Sequence, residues 1–525
     1  MDKFDINNLT LEEKLGQMLI FGFDGLEIND HVINIIKKYK GGNILLFSRN
    51  INNPAQLYKL NMNLQKLAKE TIGLPLFITI DQEGGMVSRI QSGATFFPGA
   101  MTIAATNDSN NSYTIGKYTG IELSNLLVNM DFAPCLDVNN NPKNPVIGVR
   151  SFSDDPNKVS EFGLAYIKGL QEEGVFATAK HFPGHGDTFV DSHLALPRVE
   201  YDRKRIDSVE LVPFKNAIKE GVKAIMTTHI VYPELTENDL PATLSKKCLT
   251  GLLRNELGFE GLIVTDGMEM KAIKDNYTVN EGVLMAVNAG ADLFCICHYE
   301  DEQSSAMERL KKAVENNELT IDTINERVSR ILKFKKELGF PDFDKEYKDV
   351  KNLVENEEHL NKAYDVCEKA ATLVKGNKLV LKKDALFIGL LPKATTGADD
   401  SDGQYGIIET CKKELPLLKT LLMPIAPNEE DIKRVIEEAK GFQQIIITTY
   451  NSNVFKGQLD LLKELVKLNK DLHVISMRNP YDLYDVKEIP NYVCLYEYTP
   501  NSIRVLIRYL KGEITLKGKM PISYE

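Results

Sequence analysis

The chain has 525 residues and a formal net charge of −11, from 63 basic and 74 acidic side chains. A chain of this length is too long to fold around one hydrophobic core, so we predict two unequal domains. An acidic balance without a basic cluster argues against nucleic acid as a partner. The acidic N-terminus and the short first apolar run, residues 18–23, predict neither a signal peptide nor a membrane span, so we expect a cytoplasmic protein.

Eight short apolar runs recur before residue 300. They lie at residues 18–23, 44–47, 77–80, 129–132, 176–179, 224–227, 262–265 and 293–296. Most are almost continuously apolar, as expected for parallel strands buried on both faces, and segments with helical periodicity separate them. Eight strands alternating with helices predict a (β/α)₈ TIM-like barrel. A doubly wound open sheet is the alternative, but it seldom needs eight strands in series.

A second α/β unit is predicted after the barrel. Residues 338–349 are charged and turn-rich, and residues 355–372 have the pattern of an amphipathic helix. Further apolar runs typical of strands lie at residues 385–391, 418–423, 445–449, 472–477 and 493–496. A helix is predicted at residues 429–439, with Asn428 as its N-cap.

These patterns divide the chain into three parts. We predict a catalytic barrel domain at residues 1–340, a linker with a bridging helix at residues 341–375, and a smaller α/β sandwich domain at residues 376–525. The seven cysteines have no spacing typical of a disulfide framework, which fits a reducing compartment.

Residues 180–193 have the composition of a catalytic loop, since they hold three of the chain's eight histidines. Pro183 and the adjacent glycine interrupt any helix there, and polar loops of this kind are usually functional. His193 lies two residues after Asp191, close enough for a hydrogen bond that favours the imidazolium and makes the histidine a general acid. A structural pair that fixes the loop is the alternative.

A zinc site in this loop is not predicted. His181 and His185 are four residues apart, a spacing that suits zinc only when a helix places both on one face. The sequence has no glutamate in the corresponding motif position and no paired cysteines. We therefore expect no catalytic metal and no cofactor.

Asp266 directly follows the seventh apolar run, at residues 262–265. In a barrel its carboxylate stands at the C-terminal mouth, where a rigid strand can position a nucleophile. An aspartate that caps the next helix is the alternative.

Five more polar residues are candidates for binding a sugar, because their loops converge if the barrel closes. They are Asp81, Arg89, Arg150, Lys180 and His181. For Arg150, a buried ion pair that braces a loop is an equal alternative.

Four motifs together closely resemble the β-N-acetylglucosaminidases of glycoside hydrolase family 3, the NagZ type in its two-domain form. They are Asp81-Gln82-Glu83-Gly84-Gly85, residues 144–152, Lys180-His181-Phe182-Pro183-Gly184-His185-Gly186 with Asp191-Ser192-His193, and Val264-Thr265-Asp266. The resemblance covers most of residues 10–335. Met86 stands where many relatives carry another residue, which leaves the details of the subsites open.

The resemblance implies retaining hydrolysis of terminal β-linked N-acetylglucosamine. Asp266 is then the nucleophile, His193 the acid and base, and Asp191 its assistant, while the five candidates above bind the sugar. The implied substrates are N-acetylglucosamine-containing saccharides or muropeptides from the cell wall. The sequence does not indicate an oligomeric state.

Three alternatives stay open. A histidine that has given up its proton is neutral and does not repel phosphate, so phosphorolysis on the same scaffold is one of them. A non-catalytic sugar-binding homologue is another, although Asp191, His193 and Asp266 are all present. Attack by the substrate's own acetamido group is less expected, because no adjacent acidic pair follows a predicted strand.

Overall fold

A computed structural model describes residues 2–188, 196–354, 356–390 and 406–523 of the chain. The first part is a closed barrel of eight parallel strands in chain order, which confirms the predicted fold and excludes the open sheet. We number the barrel strands β1 to β8: Leu19–Phe21, Asn43–Leu46, Phe77–Ile80, Met130–Asp131, Phe176–Phe182, Ala224–Thr227, Leu262–Gly267 and Leu293–Ile296.

Helices and short helical turns surround the barrel. The helices are Leu11–Met18, Asp30–Lys38, Pro54–Thr71, Ala100–Ala105, Ser109–Asn125, Pro156–Glu172, Arg203–Ser208, Leu211–Lys219, Lys247–Glu256, Lys271–Tyr277, Val279–Ala289, Glu300–Glu315 and Ile321–Leu338. The short turns are Ile6–Asn8, Ser48–Asn50, Gly148–Arg150 and Ala242–Leu244. A small hairpin, Gln82–Gly84 with Val87–Ser88, follows β3.

The barrel strands are buried because they are apolar on both faces, one against the barrel interior and one against the helices. Seven of these strands are buried along their whole length. Strand β7 differs, since its last two residues, Asp266 and Gly267, are only half-buried. The barrel therefore presents Asp266 at its C-terminal mouth, where the sequence predicted it.

The second part is a six-stranded sheet with helices. Its strands, β9 to β14, are Thr372–Lys375, Ala385–Leu390, Lys419–Met423, Gln444–Thr449, Asp471–Ser476 and Asn491–Cys494, in the spatial order β9-β14-β13-β12-β10-β11. Its helices are Ile407–Glu414, Glu429–Ala439, Lys456–Lys467, Asp482–Asp485 and Pro500–Leu510. Asn428 caps its helix as predicted, by accepting hydrogen bonds from the backbone N–H groups of Glu430 and Asp431.

The segment between the two sheets contains the helices Tyr347–Val354 and Glu357–Ala370. The predicted helix at residues 355–372 is thus too long at its C-terminal end, because Thr372 already begins strand β9. This strand pairs antiparallel with β14, and Thr372 lies opposite Cys494. The pairing is distant in sequence, so the local helical pattern did not reveal it. Among the described residues, every helix is too short or too polar to cross a membrane.

Candidate active site

The C-terminal ends of the barrel strands enclose a cavity of about 510 Å³. This volume lies in the usual range for sites that bind small molecules. Six of the predicted site residues line it: Asp81, Arg89, Arg150, Lys180, His181 and Asp266. The other two, Asp191 and His193, lie outside the described residues. The structure thus brings together side chains that are up to 185 positions apart in the sequence, from 81 to 266.

The backbone at Asp266 is fixed by hydrogen bonds. The N–H of Gly267 donates to Asp266 Oδ1 at 2.7 Å, and His229 Nε2 donates to the Gly267 carbonyl at 3.0 Å. His229 is fully buried at the end of β6, and its Nδ1 lies 2.9 Å from Thr243 Oγ1. The neighbouring strand therefore holds the turn after Asp266, and the carboxylate stands in the cavity on a supported backbone.

Lys180 and Arg89 both pair with Asp81. Lys180 Nζ lies 2.8 Å from Asp81 Oδ1, and Arg89 Nη2 lies 3.1 Å from Asp81 Oδ2. Burial opposes ionisation of this carboxyl, but the charges of Lys180 and Arg89 outweigh it and lower the pKa of Asp81. Asp81 is therefore an anion held between two cations, with both oxygens in fixed positions.

Glu83 joins Arg150 to the same network. Arg150 Nε and Nη2 donate to the two Glu83 oxygens at 2.9 and 2.7 Å, and Lys180 Nζ lies 2.6 Å from Glu83 Oε1. Burial opposes the charge of Glu83, but Arg150 and Lys180 prevail and hold its pKa well below the usual range. Arg150 therefore forms the buried ion pair of one alternative, and it also lines the cavity.

Asp137 holds two histidines, His181 and His185, at the C-terminal end of strand β5 and in the loop after it. Its Oδ2 lies 2.7 Å from His181 Nδ1, and its Oδ1 accepts the backbone N–H of His185 at 2.6 Å. Burial raises the pKa of Asp137, but the contact with His181 dominates, and the resulting pKa is about 2. Because Nδ1 of His181 is used in this way, Nε2 is the nitrogen that this ring can offer to a ligand in the cavity.

His185 has a different electrostatic setting from its neighbour. Burial, reinforced by His181, lowers the pKa of His185 to about 4, so its ring is neutral at neutral pH. The two rings meet edge to face, with centroids 5.7 Å apart. This arrangement is not the helical pair that a zinc motif requires.

Cys135, Asp137 and His181 form the group of side chains, within the described ranges, whose composition would suit a metal. All three are buried, and hydrogen bonds account for their ligand atoms. Asp137 Oδ2 accepts from the Cys135 thiol at 3.1 Å as well as contacting His181. We therefore interpret the group as the support of His181.

The model of the glycosyl hydrolase family 3 N-terminal domain matches residues 10–334. The chain belongs to glycosyl hydrolase family 3. This confirms the resemblance drawn from the four motifs.

Curated relatives in this family are similar over the barrel. A β-hexosaminidase A of Pseudoalteromonas piscicida is 41% identical over 326 residues, which are 58% of this chain and 54% of that protein. The chain thus spans about half the length of that relative. A β-hexosaminidase of Nitrosomonas eutropha is 34% identical over 276 residues, or 51% of this chain and 77% of the other.

A solved structure extends the similarity to both domains. The family 3 β-N-acetylglucosaminidase of Paenibacillus sp. str. FPU-7 superposes with a TM-score of 0.90 at 36% identity. The match covers 98% of this chain and 99% of that one. The barrel followed by an α/β sandwich is therefore a fold that this family 3 chain shares with a relative along its whole length.

Several residues of the family 3 site were not predicted as site residues. Glu83, Asp137 and His229 all support groups that line the cavity, but none of them was assigned a role. Glu83 lies inside a quoted motif and Asp137 in the loop that follows the fourth strand, so position after a barrel strand was the available signal. Met86 is buried against the second domain, where its sulphur accepts the N–H of Tyr498 at 3.3 Å.

Two thiols also lie beside the candidate nucleophile, on and after strand β8. Cys295 and Cys297 line the cavity and are buried. Burial, reinforced by nearby carboxylates, raises the pKa of both thiols well above the usual value. Both sulphurs are therefore protonated at neutral pH and are poor nucleophiles.

Proposed function

We propose that the protein is a retaining β-N-acetylglucosaminidase that removes terminal β-linked N-acetylglucosamine. The observation that carries this proposal is the position of Asp266, a half-buried carboxylate at the end of strand β7 that lines the cavity. The curated β-hexosaminidases and the Paenibacillus structure support the glycon.

In this mechanism Asp266 attacks the anomeric carbon and forms a covalent glycosyl ester, while the leaving oxygen takes a proton from His193. Water, deprotonated by the then neutral His193, releases the sugar and restores Asp266. Asp191 favours the charged form of the histidine in the first step. The roles of His193 and Asp191 rest on the sequence motif.

The charged side chains that line the cavity with Asp266 suit the hydroxyl groups of a sugar. Asp81 offers carboxylate oxygens, whereas Arg89, Arg150 and Lys180 offer N–H groups, and all are ordered by their mutual pairs. A site of this kind loses little side-chain entropy on binding, because its donors and acceptors are already fixed. We propose that these side chains and His181 bind the non-reducing sugar.

Release of p-nitrophenol from its β-N-acetylglucosaminide in phosphate-free buffer tests the proposal. Asp266→Asn keeps the size of the side chain but removes the nucleophile, and we expect kcat to fall about 10³-fold or more. Asp275→Asn, an exposed substitution in the following helix, is the matched control and is expected to retain activity. Equal activity of the Asp266 variant and the wild type would refute the assigned nucleophile.

Two further outcomes separate the alternatives. Turnover that requires inorganic phosphate and yields the sugar 1-phosphate would establish phosphorolysis in place of hydrolysis. Binding of N-acetylglucosamine without turnover in either buffer would establish a binding protein. A fluorinated substrate that slows deglycosylation is expected to leave its sugar on the peptide containing Asp266, as seen by mass spectrometry.

We further propose that the natural substrates are N-acetylglucosaminyl fragments of the cell wall and that the protein acts in the cytoplasm. The motif resemblance supports the substrate class. Incubation with muropeptides should release free N-acetylglucosamine, detected by chromatography and mass spectrometry. Detection of the native protein only in secreted or surface fractions would contradict the cytoplasmic location.

A further inference from the structure

Among the described residues, those of the second domain contact the loops that carry Glu83 and Arg150 but do not line the cavity. All the described residues around the cavity belong to the barrel part, from Leu45 to His298. Yet the loops that carry Glu83 and Arg150 each continue directly into a contact with the second domain. These loops are therefore a route by which the second domain can act on the cavity.

The first contact is at the loop of Arg150. The side-chain oxygen of Asn479, in the loop after β13, accepts the N–H of Val149 at 3.1 Å. Gly148, with φ of +46°, fits so closely against Asn479 that an added Cβ would lie 2.2 Å from Oδ1. Asn479 is only 4% exposed, and its own carbonyl accepts from Ser476 Oγ at 3.0 Å. The end of β13 thus fixes the residue that holds this loop.

The second contact is at the loop of Glu83. The carboxylate of Glu497, just beyond β14, accepts the N–H of Gly99 at 2.9 Å and the hydroxyl of Thr102 at 2.7 Å. The same oxygen would lie 3.2 Å from a Cβ added to Gly85. Glu497 is therefore packed against the turn two residues after Glu83.

Apolar side chains reinforce both contacts. Met86 and Val149 belong to the hydrophobic cluster of the second domain, although they are barrel residues. Each lies within three positions of a member of the Glu83–Arg150 pair. The loop of Glu83, through Met86, and the loop of Arg150, through Val149, are therefore both packed into the hydrophobic core of the second domain.

We propose that Asn479 is a positioning residue for Arg150, and that the second domain sets the geometry of the sugar site through it. The hydrogen bond to Val149 fixes the backbone next to Arg150, whose guanidinium then meets Glu83 at 2.7 and 2.9 Å. This inference rests on the proposed function where it concerns sugar binding. The fixing of the Arg150 loop by Asn479 does not depend on the proposed function.

Asn479→Ala in the full-length chain tests the proposal. Loss of the acceptor should let the Arg150 loop shift. Because small displacements of binding groups weaken substrate binding, we expect kcat/KM to fall about tenfold, mainly through a higher KM. Asn479→Asp keeps an oxygen acceptor and should restore most of the loss. Asn501→Ala is the matched control, because it removes another cross-domain hydrogen bond, 3.0 Å to the Phe96 carbonyl, outside both loops.

A double-mutant cycle distinguishes positioning from general destabilisation. In the Arg150→Ala background, Asn479→Ala should lower kcat/KM by less than about twofold further, because the residue through which it acts is already gone. An equal loss in both backgrounds, or a loss no larger than that of Asn501→Ala, would overturn the proposal.

Hydrogen–deuterium exchange gives a readout that does not depend on the substrate. In Asn479→Ala the amides of a peptide spanning residues 146–152 should exchange faster than in the wild type, since Val149 loses its acceptor. The Asn501→Ala control should leave that peptide unchanged. Unchanged exchange in Asn479→Ala would refute the claim that Asn479 fixes the Arg150 loop. Faster exchange in this variant, together with a wild-type protein that has no glycosidase activity, would refute only the proposed function.

Discussion

Removal of the Glu83 charge is the sharpest test of the buried network. In Glu83→Gln the side chain keeps its size, but Arg150 and Lys180 lose a shared anion. Their side chains are 5% and 2% exposed, so water cannot replace it. Lys180 would still pair with Asp81 at 2.8 Å. Among the described residues, Arg150 would keep a hydrogen bond only to the Val146 carbonyl at 3.4 Å. Breaking a buried pair in this way costs about 3–5 kcal/mol.

The assay is urea unfolding of the full chain, followed by circular dichroism and by tyrosine fluorescence. The control is Glu12→Gln, which removes the partner of Lys311 in a pair at 2.9 Å whose side chains are 46% and 42% exposed. An exposed pair of this kind contributes at most about 1 kcal/mol. The free energy of unfolding of the barrel should therefore fall several times more for Glu83→Gln than for the control.

The pH dependence gives a second check. The pKa of Glu83 is lowered in the folded state from its ordinary value of 4.5, because Arg150 and Lys180 outweigh burial. Its stabilisation is therefore fully present above that ordinary value and is lost as the pH falls toward the folded pKa. The difference between wild type and Glu83→Gln should shrink on acidification. A loss as small as the control's, or a difference that grows at low pH, would refute the reasoning.

Two other substitutions test local features of the barrel. Burial raises the pKa of Asp131 to about 8, so its carboxyl is protonated at neutral pH in the folded protein. The free energy of unfolding should therefore fall as the pH rises from about 4 to about 8, because the unfolded chain releases this proton more readily than the folded one. Asp131→Asn should remove this pH dependence and raise the free energy of unfolding by on the order of 5 kcal/mol relative to wild type near pH 8, measured by urea unfolding. Parallel pH profiles of the two proteins would contradict this. Gly148→Ala should lower both stability and kcat/KM because its Cβ meets Asn479, whereas Gly174→Ala, at φ of +79° with open space around it, should show backbone strain alone. Equal losses of stability in the two alanine variants would contradict the clash.

Much of the barrel follows from local pattern. Strands buried on both faces must be apolar, so β3, β6 and β8 coincide with their predicted runs at residues 77–80, 224–227 and 293–296. The position of Asp266 followed from the same logic, since a carboxylate directly after an apolar run has to emerge where the strand leaves the core. Asp266 was predictable for that reason.

The charge network was not predictable in the same way. Glu83 and Arg150 are 67 positions apart and meet because of loop conformations, including positive φ angles of 85° at Gly84 and 58° at Gly85. A sequence with 137 charged side chains, 63 basic and 74 acidic, offers too many possible pairs for one to be chosen without the fold. The contact between Asn479 and Val149 spans 330 positions and is further still from any local signal.

The position of Met86 and Val149 in the hydrophobic cluster of the second domain bears on how the protein can be engineered. A barrel cut at residue 340 would expose both side chains to water beside the loops that hold the Glu83–Arg150 pair. Removal of the second domain would therefore disturb the barrel, and a barrel expressed alone needs polar replacements at both positions. Exchange of the second domain for a relative's has the same requirement, because the incoming surface must accept these two side chains if the Glu83–Arg150 pair is to keep its geometry.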